Sequence, residues 1–422
     1  MTKCVEVLDA IMGSGKTNKL IEWMDSHPDE KYLYIAPYLE EVEERVTMSL
    51  KWVNLHNPEH GHGKNKSDSL LELLREGKSV GFTHALFKLM TEEHTKEIER
   101  QGYILIIDEE LSMIEHYNGV KPGDIHLLCE KGVIKVDYNN FGQVSWEDVN
   151  YRDGAFTELR NLCKLDMVYA NRNNIDFLTT HLPIKLITSC KRVVVSTYLF
   201  KDSVFDCFCK MKGVETTKFL DIQFDNVGVK DKIRSLIEFV GSEQVEKMRG
   251  MIKGRRNNYL SQNWYVKLND SVTPVSSLIR NVSLTNGAKT NKPDADGFYK
   301  DCDVMYTFPS KMLKKNAGNS KRYINPKGYG NDACWVGCSV RATNKYANRW
   351  LLIHAYNRYP NKNVKLYMQG YGVYIDDEQF ALAEMVQWVW RSRIRNGEPI
   401  KLCIASERME KLFKEWLYLE DE

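Results

Sequence analysis

The chain has 422 residues, 43% hydrophobic and 27% charged, enough for two or three domains with cores of their own. Its 59 basic and 57 acidic residues leave a net charge of +2, which excludes a histone-like or polybasic-tail binder and confines any nucleic-acid site to a local patch. Ten cysteines without a CxxC pair speak against a structural zinc knuckle, and no apolar run approaches the roughly 18 residues of a membrane span.

The first half reads as alternating strands and helices. Residues 5–11 form a strand-like run ending at a Gly-rich turn, and the chain from Lys16 is helical, with Leu20, Ile21 and Trp23 apolar. Residues 32–37 (YLYIAP) predict a strand, 39–50 a charged helix and 79–83 another strand. The continuous apolar runs 103–108 (YILIID) and 193–197 (VVVST) predict buried parallel strands. Residues 120–185 lack this alternation and predict an insertion. A first domain over 1–225 and a second over 226–422 follow. In the second, 304–308, 333–340, 350–354 and 400–405 read as strands and 379–395 as a long helix. The Asn-, Ser-, Lys- and Gly-rich stretch 257–330 predicts long loops. The pattern as a whole predicts an α/β fold with two parallel-sheet domains. The strand-like start leaves no room for a targeting segment, and the expected location is cytoplasmic, with reduced thiols and no membrane partner.

Residues 10–17, AIMGSGKT, fall between a predicted strand and a predicted helix, the setting of a phosphate loop. Gly13 and Gly15, on either side of Ser14, let the backbone curl so that successive N–H groups face phosphate oxygens. The helix from Lys16 adds the positive end of its dipole. In this reading Lys16 neutralises the β- and γ-phosphates of ATP, and the Thr17 hydroxyl completes a Mg2+ shell. Residues 106–110, IIDEE, end an apolar strand, where open parallel sheets bind their ligands. Asp108 would hold the Mg2+ and Glu109 would position the attacking water. A chance Gly-rich turn and a solvated acidic turn are the bland alternatives, and the presence of both motifs in one chain counts against them.

Residues 387–395, QWVWRSRIR, place Gln387 and Arg391 four apart, on one face of a helix. Arg391 or Arg393 could reach across a domain cleft and stabilise charge on the γ-phosphate, as an arginine finger does. A solvated basic face over core tryptophans competes with that reading. Ser196-Thr197 ends a buried strand run, and Pro37-Tyr38 and Thr83-His84 sit just past predicted strands, where N–H groups and polar side chains can hold a nucleic-acid backbone. Ordinary caps and loops explain them equally well. Arg341 and Thr343 open a basic stretch with one aromatic, Tyr346, suited to phosphate contact and base stacking. His56, His60 and His62 cluster, but no cysteine or carboxylate set completes a metal site.

AIMGSGKT, IIDEE, ST and QWVWRSRIR, in this order, resemble motifs I, II, III and VI of superfamily 2 helicases. Met12, the DEEL run from Asp108 to Leu111 and the closing Arg-x-Arg are similar to herpesvirus origin-binding helicases and to bacteriophage helicases related to them. The resemblance implies two RecA-like domains with ATP in the cleft between them. It assigns Lys16 and Thr17 to phosphate and Mg2+, Asp108 and Glu109 to the acidic pair, and Gln387 and Arg391 to motif VI. Trp390 stands where motif VI usually has Gly, which leaves Arg391, Arg393 and Arg395 as candidate fingers. The implied activity is ATP-driven translocation or unwinding on nucleic acid, with single-stranded or forked DNA as track and replication proteins as partners. A DNA-packaging ATPase would need a late carboxylate cluster for its nuclease, and only Asp376-Asp377 precedes the acidic tail. The intact Lys16, Asp108 and Glu109 count against a non-motor binding protein on the same fold.

Overall fold

The computed structural model describes residues 4–60, 65–252, 258–267, 272–290, 302–316, 323–340 and 345–419. It divides into two compact units. The first holds Met1–Ala10, Gly15–Phe224 and Pro360–Asp376, and the second Ile11–Ser14, Asp225–Tyr359 and Asp377–Glu422.

In the first unit β1 (Cys4–Asp9) is followed by α1 (Lys16–Asp25) and β2 (Tyr32–Ala36). Next come α2 (Lys66–Arg75), β3 (Val80–Thr83), α3 (His84–Phe87), α4 (Glu92–Gln101) and β4 (Ile104–Asp108). An inserted subdomain follows: β5 (Ile114–Tyr117), α5 (Pro122–Glu130), β6 (Ile134–Asp137), β7 (Gln143–Trp146), α6 (Thr157–Lys164), β8 (Val168–Ala170) and β9 (Leu178–His181). The chain then returns through α7 (Lys185–Thr188), β10 (Arg192–Thr197), α8 (Val204–Met211) and β11 (Glu215–Lys218).

Six strands pair in the order β11-β1-β10-β4-β2-β3, every pair parallel. The fully buried runs of β2 and β4 are apolar on both faces because both faces are covered. Leu20, Ile21 and Met24 of α1 pack on one face with Leu8, Tyr34 and Ile106. The other face carries Leu33, Leu105 and Val195 against residues of α2, α4 and α8. The subdomain strands form a separate antiparallel sheet, β5-β9-β8-β7-β6, over its own core of Ile125, Val144, Leu159 and Leu178.

The second unit contains α9 (Asn226–Ser235), β12 (Ile237–Phe239), α10 (Ser242–Met251), α11 (Gln262–Lys267), α12 (Thr273–Thr285), β13 (Val304–Thr307), α13 (Asn331–Cys334) and β14 (Leu351–His354). Helix α14 (Lys362–Gly370) belongs to the first unit, where it packs on β5 and β9. The second unit ends with α15 (Asp377–Val389), β15 (Ile400–Ile404) and α16 (Glu407–Tyr418). Its sheet is parallel throughout, in the order β12-β15-β14-β13. The chain is thus an α/β protein with two parallel sheets, as its strand–helix alternation predicted, and has the RecA-like layout that the helicase resemblance implied. Among the described residues no helix is long and apolar enough to cross a membrane.

Several elements differ from their sequence-based expectation. The charged stretch 39–50 holds a π-helical run, Glu41–Thr47, whose Thr47 hydroxyl donates to the Val42 carbonyl five residues back. Residues 333–340 are not a strand. Gly330 starts the short α13, and Trp335 then makes a single bridge to Tyr306. Within 257–330, described segments include α11 and α12. Polar residues between Val275, Leu278, Ile279 and Val282 mask an apolar stripe at helical spacing. The insertion opens at β5, before residue 120, and is an ordered sheet rather than an irregular excursion. The helix expected over 379–395 ends at Val389, because Ser392 caps a new 3-10 turn over Arg393–Asn396.

Candidate functional site

In a parallel sheet all strands end at the same edge, and ligands collect beyond that edge. The ends of β1, β10, β4, β2 and β3 therefore bring together the loops after Asp9, Thr197, Asp108, Ala36 and Thr83.

The loop after β1 curls as its glycines require. Gly13 and Gly15 adopt φ 82° and 83°, in the left-handed region. A side chain on Gly15 would meet open space, so its backbone conformation alone demands glycine there. Ser14 N–H donates to the Ile11 carbonyl at 3.3 Å, and Lys19 N–H to the Gly15 carbonyl at 3.0 Å as α1 begins. The Lys16 ammonium donates to the Ala10 carbonyl, which folds the side chain back over the loop. Burial lowers its pKa to about 8, against the opposing pull of Asp108, Asp9 and Glu109. Burial is the cost here, and an anionic ligand beside the amine would favour its protonated form.

Asp108 ends β4 with 4% of its surface exposed. Its Oδ2 accepts from the Thr17 hydroxyl at 3.3 Å and from the Tyr34 hydroxyl at 2.6 Å. Burial raises its pKa, the Tyr34 hydrogen bond opposes that rise, and neighbouring Glu109 adds to it. The charges of Arg45 and Lys16 also act against that rise, and the paired Thr17 and Asp108 oxygens are hard donors of the kind Mg2+ takes. The residues present fit that ion.

Glu109 turns out of the strand at φ 63°, a left-handed backbone that costs a non-glycine residue about 1 kcal/mol or more. Its N–H donates to the Ser196 carbonyl at 2.9 Å, which ties the turn to β10. Ser196 stands opposite Asp108 in register and Thr197 opposite Asp9, and both are buried. Glu110 has a different task. Its Oε1 accepts from Ser203 Oγ at 2.9 Å and Phe205 N–H at 2.8 Å, so it holds the N-terminus of α8. Asp9 accepts the N–H groups of Leu199 at 2.8 Å and Phe200 at 3.0 Å and thereby anchors the loop after β10.

Lys16, Thr17, Asp108 and Glu109 thus gather at one edge of one sheet. Pro37, Tyr38, Thr83 and His84 lie further along that edge, after the paired strands β2 and β3. Tyr38 is 45% exposed, whereas the Thr83 hydroxyl accepts from Leu86 N–H and caps α3. Arg341 and Thr343 lie outside the described residues, as does His62.

In the second unit Gln387 is half-buried near the end of α15, and Arg391 follows in a turn with 5% exposure. The two do not share one continuous helix face, because the helix stops between them. Arg393 donates through Nε to the Pro399 carbonyl at 2.5 Å and lies 3.9 Å from Glu398. Neither Tyr34 nor Asp9 belongs to a motif. The only trace of Tyr34 was a tyrosine in an apolar strand, and its partner depends on which strand lies alongside.

Two family models match, described as the YonV middle domain over residues 114–177 and the YonV C-terminal Rossmann-like domain over 231–417. The SPbeta prophage-derived uncharacterized protein YonV of Bacillus subtilis (strain 168) is 30% identical over 435 residues, covering 98% of each chain. Among solved structures, one titled XPD in its apo form superposes with TM-score 0.51 at 12% identity, over 98% of this chain and 95% of its own. The structure of S. tokodaii Xpd4 follows with TM-score 0.45 at 11% identity, over 99% and 94%.

Proposed function

The chain belongs to the family of the prophage protein YonV, and from that premise we propose that it is an ATP-dependent DNA translocase or helicase of a phage. The observation that carries this reading is the gathering of Lys16, Thr17, Asp108 and Glu109 at the ends of β1 and β4. Lys16 and the loop N–H groups would hold the phosphates, and Thr17 and Asp108 the Mg2+. When bound, the ion would offset charge on the phosphates. Glu109 would orient the attacking water, and its tie to Ser196 keeps the turn in place for that work. The helicase-like fold shared with XPD supports a motor role. The motif likeness to herpesvirus origin-binding helicases supports DNA as the track, with Pro37, Tyr38, Thr83 and His84 along its backbone. Arg391 or Arg393 would supply the transition-state charge. Work on phage DNA beside replication proteins would place the protein in the host cytoplasm.

The test is steady-state ATP hydrolysis by the purified chain, alone and with single-stranded DNA, single-stranded RNA or duplex DNA, with Glu109→Gln as the blank. Strong stimulation by single-stranded DNA is the expected result. Hydrolysis indifferent to all three would move the reading to a packaging ATPase without its partners. No hydrolysis at all would leave a non-motor protein on a motor fold.

A further inference from the structure

Tyr34 is fully buried in β2, where an all-apolar side chain would pack as well. It stands opposite Ile106 of β4, and Asp108 lies two residues further along that strand. Side chains alternate between faces with period two, so Tyr34 and Asp108 share the face covered by α1. The phenol is long enough to reach diagonally past Ile106 to the carboxylate, and it does so at 2.6 Å. This is shorter than the 3.3 Å contact from Thr17 to the same oxygen. Tyr32, two residues earlier on the same face, sends its hydroxyl instead to the His27 carbonyl at 3.0 Å, at the end of α1.

We propose that Tyr34 is a positioning residue for the metal-holding carboxylate, fixing the orientation of Asp108 so that the Mg2+-nucleotide is bound without the side chain first having to be ordered. The inference rests on the Mg2+-nucleotide reading above. Thr17 sits on a helix that starts in the phosphate loop and would itself turn toward the ion. Tyr34 belongs to the sheet interior and has no such competing task. A partner that orients a metal ligand typically changes metal affinity by about 10-fold or more when removed.

The experiment uses the full chain as wild type, Tyr34→Phe and Tyr32→Phe. The binding of a fluorescent ADP analogue is titrated with and without Mg2+, and ATP hydrolysis is followed as a function of Mg2+ concentration. Tyr34→Phe is expected to raise the half-saturating Mg2+ concentration about 10-fold. The loss of kcat at saturating metal should be smaller, and the gain in ADP affinity that Mg2+ confers should shrink in step. Tyr32→Phe loses a buried hydroxyl but should keep the wild-type Mg2+ dependence. In an Asp108→Asn background the further change Tyr34→Phe should add nothing. Tyr34→Met, which fills the space without a donor, offers a second route to the same comparison. A Mg2+ dependence equal to wild type in Tyr34→Phe, or shifted equally in Tyr32→Phe, overturns the assignment of Tyr34 alone. A wild-type chain that binds the analogue identically with and without Mg2+, and hydrolyses no ATP, overturns the nucleotide reading and this inference with it.

Discussion

Adjacent residues at the end of β4 have separable duties, and substitutions should separate them. Asp108 and Glu109 face the candidate site, whereas Glu110 points back to hold α8. Lys16 belongs to no hydrophobic core, and burial of its charge offsets what its neighbouring carboxylates contribute, so Lys16→Ala should leave the thermal unfolding midpoint nearly unchanged. Hydrolysis should fall about 100-fold or more, the scale on which one preorganised charge partner acts. A folded Lys16→Ala protein with wild-type turnover would show that the nucleotide binds elsewhere. Arg391→Ala should lower kcat more than it weakens ATP binding, because a transition-state contact adds little to ground-state affinity. Equal losses in both, or a loss in binding alone, would pass the finger role to Arg393 or Arg395. Lys16, Thr17, Asp108 and Glu109 were legible because each belongs to a short motif of fixed residue types and spacing, one between a strand and a helix and one at a strand end. Tyr34 was not, because a hydrogen bond between residues 34 and 108 exists only once β2 and β4 are neighbours.

At the scale of elements, the apolar runs named the strands well and the helix ends poorly. Continuous burial of β2, β4 and β10 leaves an unmistakable signature in sequence. Where α15 stops depends on Ser392 capping the next turn, a choice made by a hydroxyl and one backbone N–H. Helix α8 shows the same sensitivity. Glu110 accepts two donors at its start, and Ser203 Oγ accepts Asp206 N–H at 3.3 Å. Glu110→Ala should therefore destabilise the first unit by about 1–2 kcal/mol, the usual worth of a cap. A urea denaturation curve reads this directly, and a midpoint equal to wild type would mean that water replaces the carboxylate without loss. Because α8 follows the loop anchored by Asp9, the same variant should loosen that loop, seen as faster amide exchange at Leu199 and Phe200.

At the scale of the molecule, each unit encloses a histidine that must stay neutral. His181 is 2% exposed and stacks on Tyr169 at 3.9 Å, with Tyr367 at its edge and the Lys212 ammonium nearby. Burial holds its pKa well below the ordinary 6.5, and Lys212 pushes the same way. His354 is fully buried against Trp388 and Cys338, and burial, followed by the charge of Arg358, lowers its pKa to about 3. Above pH 6.5 both histidines are neutral folded or unfolded, and neither affects stability. Below it the unfolded chain takes up protons that the folded chain refuses, so stability falls as pH falls. Between pH 7.5 and 5.5 the His354 site should lower stability by about 1 kcal/mol, and the His181 site should act in the same direction. Urea unfolding at the two pH values checks this, and His354→Gln should remove the share of the second unit. A flat profile would mean that the folded protein admits a proton at both sites.

The sequence by itself determined the fold class, every strand of the two parallel sheets except the edge strands β11 and β12, and the four residues at the heart of the candidate site. Each of these is written locally, in apolar runs that two covered faces require or in a loop chemistry that a phosphate requires. Tertiary structure alone decided that residues 114–181 close into an antiparallel sheet with its own core. It also decided that Lys362–Gly370 leaves the second half of the chain to pack on that sheet, and that a tyrosine of β2 donates a hydrogen bond to the carboxylate of β4. These are pairings between residues distant in sequence. No local pattern encodes them, because what selects them is which apolar faces and which hydroxyls meet when the whole chain buries its surface.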